Sequence, residues 1–186
     1  MRKYSLILFF GISILTFGLV AQSITWEKIY NGPGNNSDGF RSICQAEGEN
    51  IYVVGYSWIS GNQKRMYIVK LNKFGDTVWT RILGNANGGG PVAMAIAPSG
   101  DGGCVFTGTW DSAFTAKLNS DGDIIWLKKY AYGNIILRDI KKTANGGYIT
   151  CGSYVNTNFD GYILKIDSIG NLEWEKVYPA LFFKVF

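Results

Sequence analysis

The chain has 186 residues, of which 47% are hydrophobic, with a formal net charge of +4 and no histidine. That apolar content supports a packed core rather than a disordered chain, and the missing histidine removes Ser-His and Cys-His nucleophile pairs and the commonest metal ligand. Lys and Arg are scattered singly, without the basic stripe that neutralises phosphates, which points away from nucleic acid as a partner.

Met1-Arg2-Lys3 is a short basic start, Tyr4 to Ala21 is uncharged and mostly apolar, and polar sequence begins at Gln22. This three-part layout reads as a secretory signal peptide over residues 1–21, cleaved after Ala21. As an uncleaved anchor, its 18-residue core would be short for a span, and Gly11, Ser13, Thr16 and Gly18 interrupt it. The mature chain, 22–186, is expected outside the cytoplasm (periplasm, outer surface or extracellular), with no membrane span left after cleavage. Without Arg2 and Lys3 it carries 16 basic and 14 acidic residues, about +2.

From residue 26 the chain repeats. Trp26-Glu-Lys28 is the tail of a motif that then returns in full as Tyr67 to Arg81, Phe114 to Lys128 and Tyr162 to Lys176. Its spacing, Lys-x4-Gly-x3-Trp-x-Lys/Arg, is the same in every copy: Lys70, Gly75 and Trp79; Lys117, Gly122 and Trp126; Lys165, Gly170 and Trp174. Successive copies lie 47 and 48 residues apart. A second motif precedes each: Ala46 to Gly55, Ser99 to Gly108 and Thr143 to Gly152. Before it runs a short apolar segment ending at Ile43, Ile96 or Ile140. The units fall at about 26–78, 79–125 and 126–173, with the start of a further unit at 174–186.

Each unit reads as four strands. The apolar segment is the first. A tight turn such as Asp101-Gly102-Gly103 or Asn145-Gly146-Gly147 leads into the second, because Asn-Gly and Asp-Gly accept the positive φ that hairpins need. The third passes through the repeated lysine, and the repeated glycine turns the chain into the fourth, which carries the tryptophan. Length variation concentrates between the second and third strands, as a hairpin tip tolerates. No stretch after residue 25 has helical periodicity over three turns. Four antiparallel strands per unit, repeated, is the pattern of a β-propeller blade, so the expected fold is all-β, a partial propeller of about three four-stranded blades. The alternative is a β-trefoil, which closes with three such units.

The motifs D-G-G-Y-x-x-x-G, Y-x-x-K-x-D-x-x-G and W-x-K resemble the β-propeller repeats of secreted and surface proteins of Gram-negative bacteria, over residues 26–178. The resemblance implies an acidic residue just before the Tyr-x-x-Lys strand. Asp160 fits, Asp111 lies near, and Arg65 departs from it. It also implies relatives with more blades and often a C-terminal sorting domain. Three units leave an open arc, and the apolar tail Tyr178 to Phe186 stands where a Gly-rich turn should begin. The expectation is therefore a truncated fragment of a longer chain.

Candidate sites follow from the repeat. Trp79, Trp126 and Trp174 suit a sugar-stacking platform or, as recurring positions, blade-to-blade packing. Lys70, Lys117 and Lys165 suit an anion-holding ring or a solvated strand face, the latter preferred. Asn119-Ser-Asp121-Gly-Asp123 has the flavour of a calcium loop, but the equivalent turns lack the second acid, which favours turn chemistry. Cys44, Cys104 and Cys151, odd in number and without Cys-x-x-Cys spacing, read as buried free thiols, with a Cys104–Cys151 bridge as the alternative. Tyr56, Trp58, Trp110 and Tyr154 follow the second strand's glycine, where loops emerge, and are the expected ligand contacts. No metal site or cofactor is indicated. The expected function is a non-catalytic binding or scaffold module at the cell surface or beyond it, for a glycan or protein ligand. The alternative is a piece of a secreted propeller enzyme, a carboxylate-dependent hydrolase or lyase.

Overall fold

A computed structural model of the chain describes residues 26–180, apart from 35, 62, 85–89, 131–133 and 156–158. The signal peptide expected at 1–21 and the tail 181–186 lie outside the described residues.

The described residues form twelve strands in three antiparallel sheets of four. Blade 1 is β1 (Asp38–Gln45), β2 (Ile51–Trp58), β3 (Lys64–Leu71) and β4 (Thr77–Leu83). Blade 2 is β5 (Val92–Pro98), β6 (Cys104–Thr109), β7 (Ala113–Leu118) and β8 (Ile124–Tyr130). Blade 3 is β9 (Ile135–Lys142), β10 (Tyr148–Tyr154), β11 (Asp160–Ile166) and β12 (Leu172–Tyr178). Strands pair in chain order within each sheet, and every extensive contact between sheets involves the first strand of the following sheet, β5 or β9. The fold is all-β, a partial propeller of three blades rather than a trefoil. The tryptophan strand closes its own sheet, since Trp79, Trp126 and Trp174 pair with Lys70, Lys117 and Lys165. The sheets therefore run 38–83, 92–130 and 135–178, one strand out of phase with units counted from Trp26, and Trp174 ends blade 3 instead of starting a further unit.

Each blade carries the same two irregularities. The ladder between third and fourth strands skips one residue just before the tryptophan, at Val78, Ile125 and Glu173. The ladder between first and second strands skips Arg41, Met94 and Arg138. A bulge sharpens the local twist and re-aims the side chain beside it. At the second bulge the first strand swings so close that a Cβ at Gly55, Gly108 or Gly152 would collide with a carbonyl of Gly39, Val92 or Ile136. That contact, and not a turn, is why the second motif ends in glycine.

Blade 2 stands between two neighbours. Its middle strands are buried almost throughout and lack polar–apolar alternation, as strands covered on both faces do. Tyr52, Val54, Met66 and Ile68 of blade 1 meet Ile96, Phe106, Phe114 and Leu118 of blade 2. Ala95, Ala97 and Val105 on the other face of blade 2 meet Leu137, Ile140, Tyr148 and Leu164 of blade 3.

Candidate functional site

The repeated tryptophan links blades. The ring of Trp79 lies on Gly122 of blade 2, and that of Trp126 on Gly170 of blade 3. Both glycines have positive φ, 85° and 84°, and a Cβ at either would stand 3.0 Å from the ring. Polar groups complete the first of these seams. Trp79 Nε1 and Lys70 Nζ both donate to the Ser120 carbonyl, at 3.0 and 2.8 Å, and Arg81 donates to the carbonyls of Asp121 and Gly122 at 2.6 and 3.2 Å. At the second seam the Tyr130 hydroxyl donates to the Gly170 carbonyl at 2.7 Å. Trp174 has no following blade in the described chain and is 40% exposed. The glycine turn of the next blade thus takes up one face of the Trp79 ring and one of the Trp126 ring.

The lysines differ from their expected solvated face. Lys70 and Lys165 are buried, and Lys117 is partly covered. They neither face water nor line the axis, because the third strand stands two places out from the converging first strands. Lys70 faces the next blade's turn, while Lys117 pairs with Asp101 at 2.6 Å and Lys165 with Glu173 at 3.0 Å. The Lys117 ammonium and the Ser99 hydroxyl lower the Asp101 carboxyl to about 2.

The calcium-like loop is an Asx turn. Asn119 Oδ1 accepts the backbone N–H groups of Asp121 and Asp123, and Asn119 Nδ2 donates to Asp123. Asn72 and Asp76 repeat this in blade 1. Asp167 and Asn171 repeat it in blade 3 with acid and amide exchanged. The side-chain pair needs one amide and one carboxylate, in either order. Among the described residues no group of three or more His, Cys, Asp or Glu is placed to hold a metal ion.

All three cysteines are free, but they do not share one environment. Cys104 is buried beside Cys44 between blades 1 and 2, and burial raises the Cys44 thiol to about 12 and pushes up that of Cys104. Cys151 corrects the expectation of a buried thiol. It is exposed on the far face of blade 3, where Val54 and Thr107, its equivalents in blades 1 and 2, have a neighbour to cover them.

The four expected ligand contacts all lie at the ends of second strands, on the side of the arc where those strands run into loops. They divide into two groups. Trp110 packs on the core between blades 1 and 2, and Tyr154 on the core between blades 2 and 3. Lys129 covers the Trp110 ring, its Nζ 4.6 Å from the ring centre. Tyr56 and Trp58, one turn of alternation apart on β2, form a rim with two cations. Lys64 Nζ stands 4.7 Å from the Tyr56 ring centre and 5.4 Å from that of Trp58, and the Arg41 guanidinium is 5.4 Å from Tyr56. Trp58 also borders a shallow groove of about 300 Å³ with Asn36, Ser37 and Gly61, and its backbone N–H donates to the Ser37 carbonyl at 3.2 Å. Lys64 and Arg41 are absent from the sequence reading. The hairpin register that sets Lys64 opposite Trp58 and the bulge that turns out Arg41 are the signals that find them. The rim offers aromatic rings faced by two cations, and the ammonium and guanidinium groups keep hydrogen-bond donors that can pair with an anionic group.

No protein-family model matches the chain, and no curated protein matches it. Among solved structures the chain is similar to a crystal structure of a protein of unknown function from Bacteroides caccae, at 16% identity and a TM-score of 0.48. The similarity covers 68% of this chain and 40% of that one, so the chain spans less than half of that protein's length. Among the described residues no helix is long and apolar enough to cross a membrane.

Proposed function

We propose that the chain is a non-catalytic binding module that works outside the cytoplasm and holds a carboxylate-bearing glycan or protein segment at the rim of blade 1. The observation that supports this reading is the set Tyr56, Trp58, Lys64 and Arg41. It joins two aromatic rings and two cations at the loop end of a sheet, beside an open groove. Loops carried by a rigid scaffold are where binding residues concentrate, and ring faces already covered by cations leave positive charge as the free contact. The basic start and apolar run of residues 1–21 support export.

Titration of the purified chain against acidic and neutral polysaccharides and acidic peptides tests the binding reading. Binding is expected for acidic ligands only, weakened at least tenfold (about 1.4 kcal/mol) by Trp58→Ala and by Lys64→Ala, with the thermal transition little changed. Equal binding of neutral ligands, or affinity untouched by both substitutions, contradicts it. For export, the protein recovered from a Gram-negative host should begin near Gln22, and an intact Met1–Lys28 peptide in the membrane fraction contradicts it.

A further inference from the structure

Groups that keep the repeat build the seams between blades: the rings of Trp26, Trp79 and Trp126 lie on Gly75, Gly122 and Gly170. Groups that break the repeat have no such duty. Lys64 stands three residues before Tyr67, where blades 2 and 3 have Asp111 and Phe159. Lys129 stands three residues after Trp126, where blades 1 and 3 have Ile82 and Val177. Each lysine is therefore particular to its own blade, and each holds its ammonium against a tryptophan ring, Lys64 on Trp58 and Lys129 on Trp110.

The register puts both pairs on one seam. Strands β2 and β3 pair without a skip, Tyr56 opposite Met66 and Trp58 opposite Lys64, and residues directly opposite share a face. These side chains therefore stand on the face whose Tyr52, Val54, Met66 and Ile68 meet blade 2. In blade 2, Lys129 lies opposite Phe114, Phe114 belongs to that same core, and Trp110 packs against it. At the loop end of the seam between blades 1 and 2, Tyr56, Trp58 and Lys64 thus form one wall, and Trp110 with Lys129 forms the other. Gly90, on the connection between these blades, backs against Lys64, since a Cβ there would come within 2.7 Å of the lysine Cβ. The seam between blades 2 and 3 has Asp111 and Val177 at the matching sequence positions. Among the described residues neither Lys64 nor Lys129 pairs with a carboxylate. Two cations on facing walls repel each other, and an anionic chain between them turns that repulsion into attraction.

We infer that Trp110 and Lys129 are the second wall of the ligand site, and that its occupant is an acidic polysaccharide lying across the seam between blades 1 and 2. The inference rests on the binding proposed above for the rim of blade 1, and extends it to a residue pair on another blade. Each wall joins aromatic surface to a cation. A uronic acid carries its carboxylate directly on the sugar ring. One sugar therefore serves a whole wall, its apolar face against the aromatic side chains and its carboxylate accepting from the ammonium. Acidic peptides carry their carboxylates on flexible stems and lose more freedom when both walls hold them. Two walls take two such sugars of one chain, so affinity rises with chain length until both are filled.

Titration of the purified chain with an oligogalacturonate, followed through the indole N–H resonances of its tryptophans, tests this. The Trp58 and Trp110 signals should shift together with one Kd, and galacturonic acid alone should bind at least about tenfold more weakly. Lys129→Ala should weaken the oligogalacturonate about tenfold. Lys128→Ala removes the same charge from the other face of β8 and should change affinity by less than about twofold. Shifts confined to Trp58, or equal effects of Lys128→Ala and Lys129→Ala, overturn the inference. The rim reading survives that result where Trp58→Ala and Lys64→Ala still weaken binding. Tighter binding of a polyglutamate of matched charge also overturns the inference, because the occupant is then a peptide. No binding of any acidic ligand removes the rim reading, and this inference with it.

Discussion

At the scale of single residues, two glycines with nearly the same backbone separate the two demands placed on a turn. Gly122 and Gly146 have φ of 85° and 84°, but the Trp79 ring covers Gly122, whereas nothing lies within 4 Å of a Cβ at Gly146. Gly146→Ala should cost only the left-handed backbone, about 1 kcal/mol. Gly122→Ala adds a collision with the ring and should cost about 3 kcal/mol, which denaturant midpoints measured on the two variants will distinguish. Trp126→Ala should cost about 3 kcal/mol, and Trp58→Ala well under 1, since Trp58 stands at the rim. The spacing of glycine and tryptophan was plain in the sequence. That each tryptophan sits on the glycine of the following blade was not, because spacing within a unit says nothing about contacts between units. The thiols divide in the same way. At low protein concentration and pH 8, one thiol per chain, Cys151, should react quickly with an alkylating reagent, and Cys44 and Cys104 only on unfolding. Three equally slow thiols would contradict the exposed far face of blade 3.

Among the elements, the four-strand unit and its turns were legible because hairpin chemistry is local. Asn, Asp and Gly at fixed offsets specify the Asx turn wherever it stands. Exchange of acid and amide between blades tests that reading. Asn119→Asp alone sets two carboxylates together and should cost about 1 kcal/mol. The pair Asn119→Asp with Asp123→Asn rebuilds the blade 3 turn and should recover most of the loss. What was misread is which strand faces are wet. Period-two alternation presumes one solvated face, but Lys70 is covered by the turn of the next blade and Lys165 lies against Glu173 of its own sheet, so both are buried where sequence pattern suggested water. The first turn of blade 2 adds a pH dependence. The folded Asp101 carboxyl lies below its usual value of 3.8, so the ionised form stabilises the fold above about pH 4, and that contribution is lost as pH falls towards 2. Asp101→Asn should flatten the melting temperature against pH between 2 and 4, and a profile like that of the parent chain would remove Asp101 from the account.

For the whole molecule, the repeat foretold blades, while the burial of each face follows from neighbours that the repeat does not name. Ile43, Ile96 and Ile140 read alike in sequence, and their exposures diverge because only two of them meet a preceding sheet. The aromatic and cationic rim of blade 1 was half legible for a similar reason: Tyr56 and Trp58 stand out by type, whereas Lys64 and Arg41 reach them only through register and bulge. The central claim is that blades stack in chain order, each tryptophan seated on the glycine turn of the next. The most direct measurement is a nuclear Overhauser spectrum of the labelled protein. Contacts are predicted from the indole protons of Trp26, Trp79 and Trp126 to the α-protons of Gly75, Gly122 and Gly170 respectively, with those α-protons shifted by the rings above them. Indole contacts confined to each tryptophan's own sheet, with the three glycines at ordinary shifts, would contradict it.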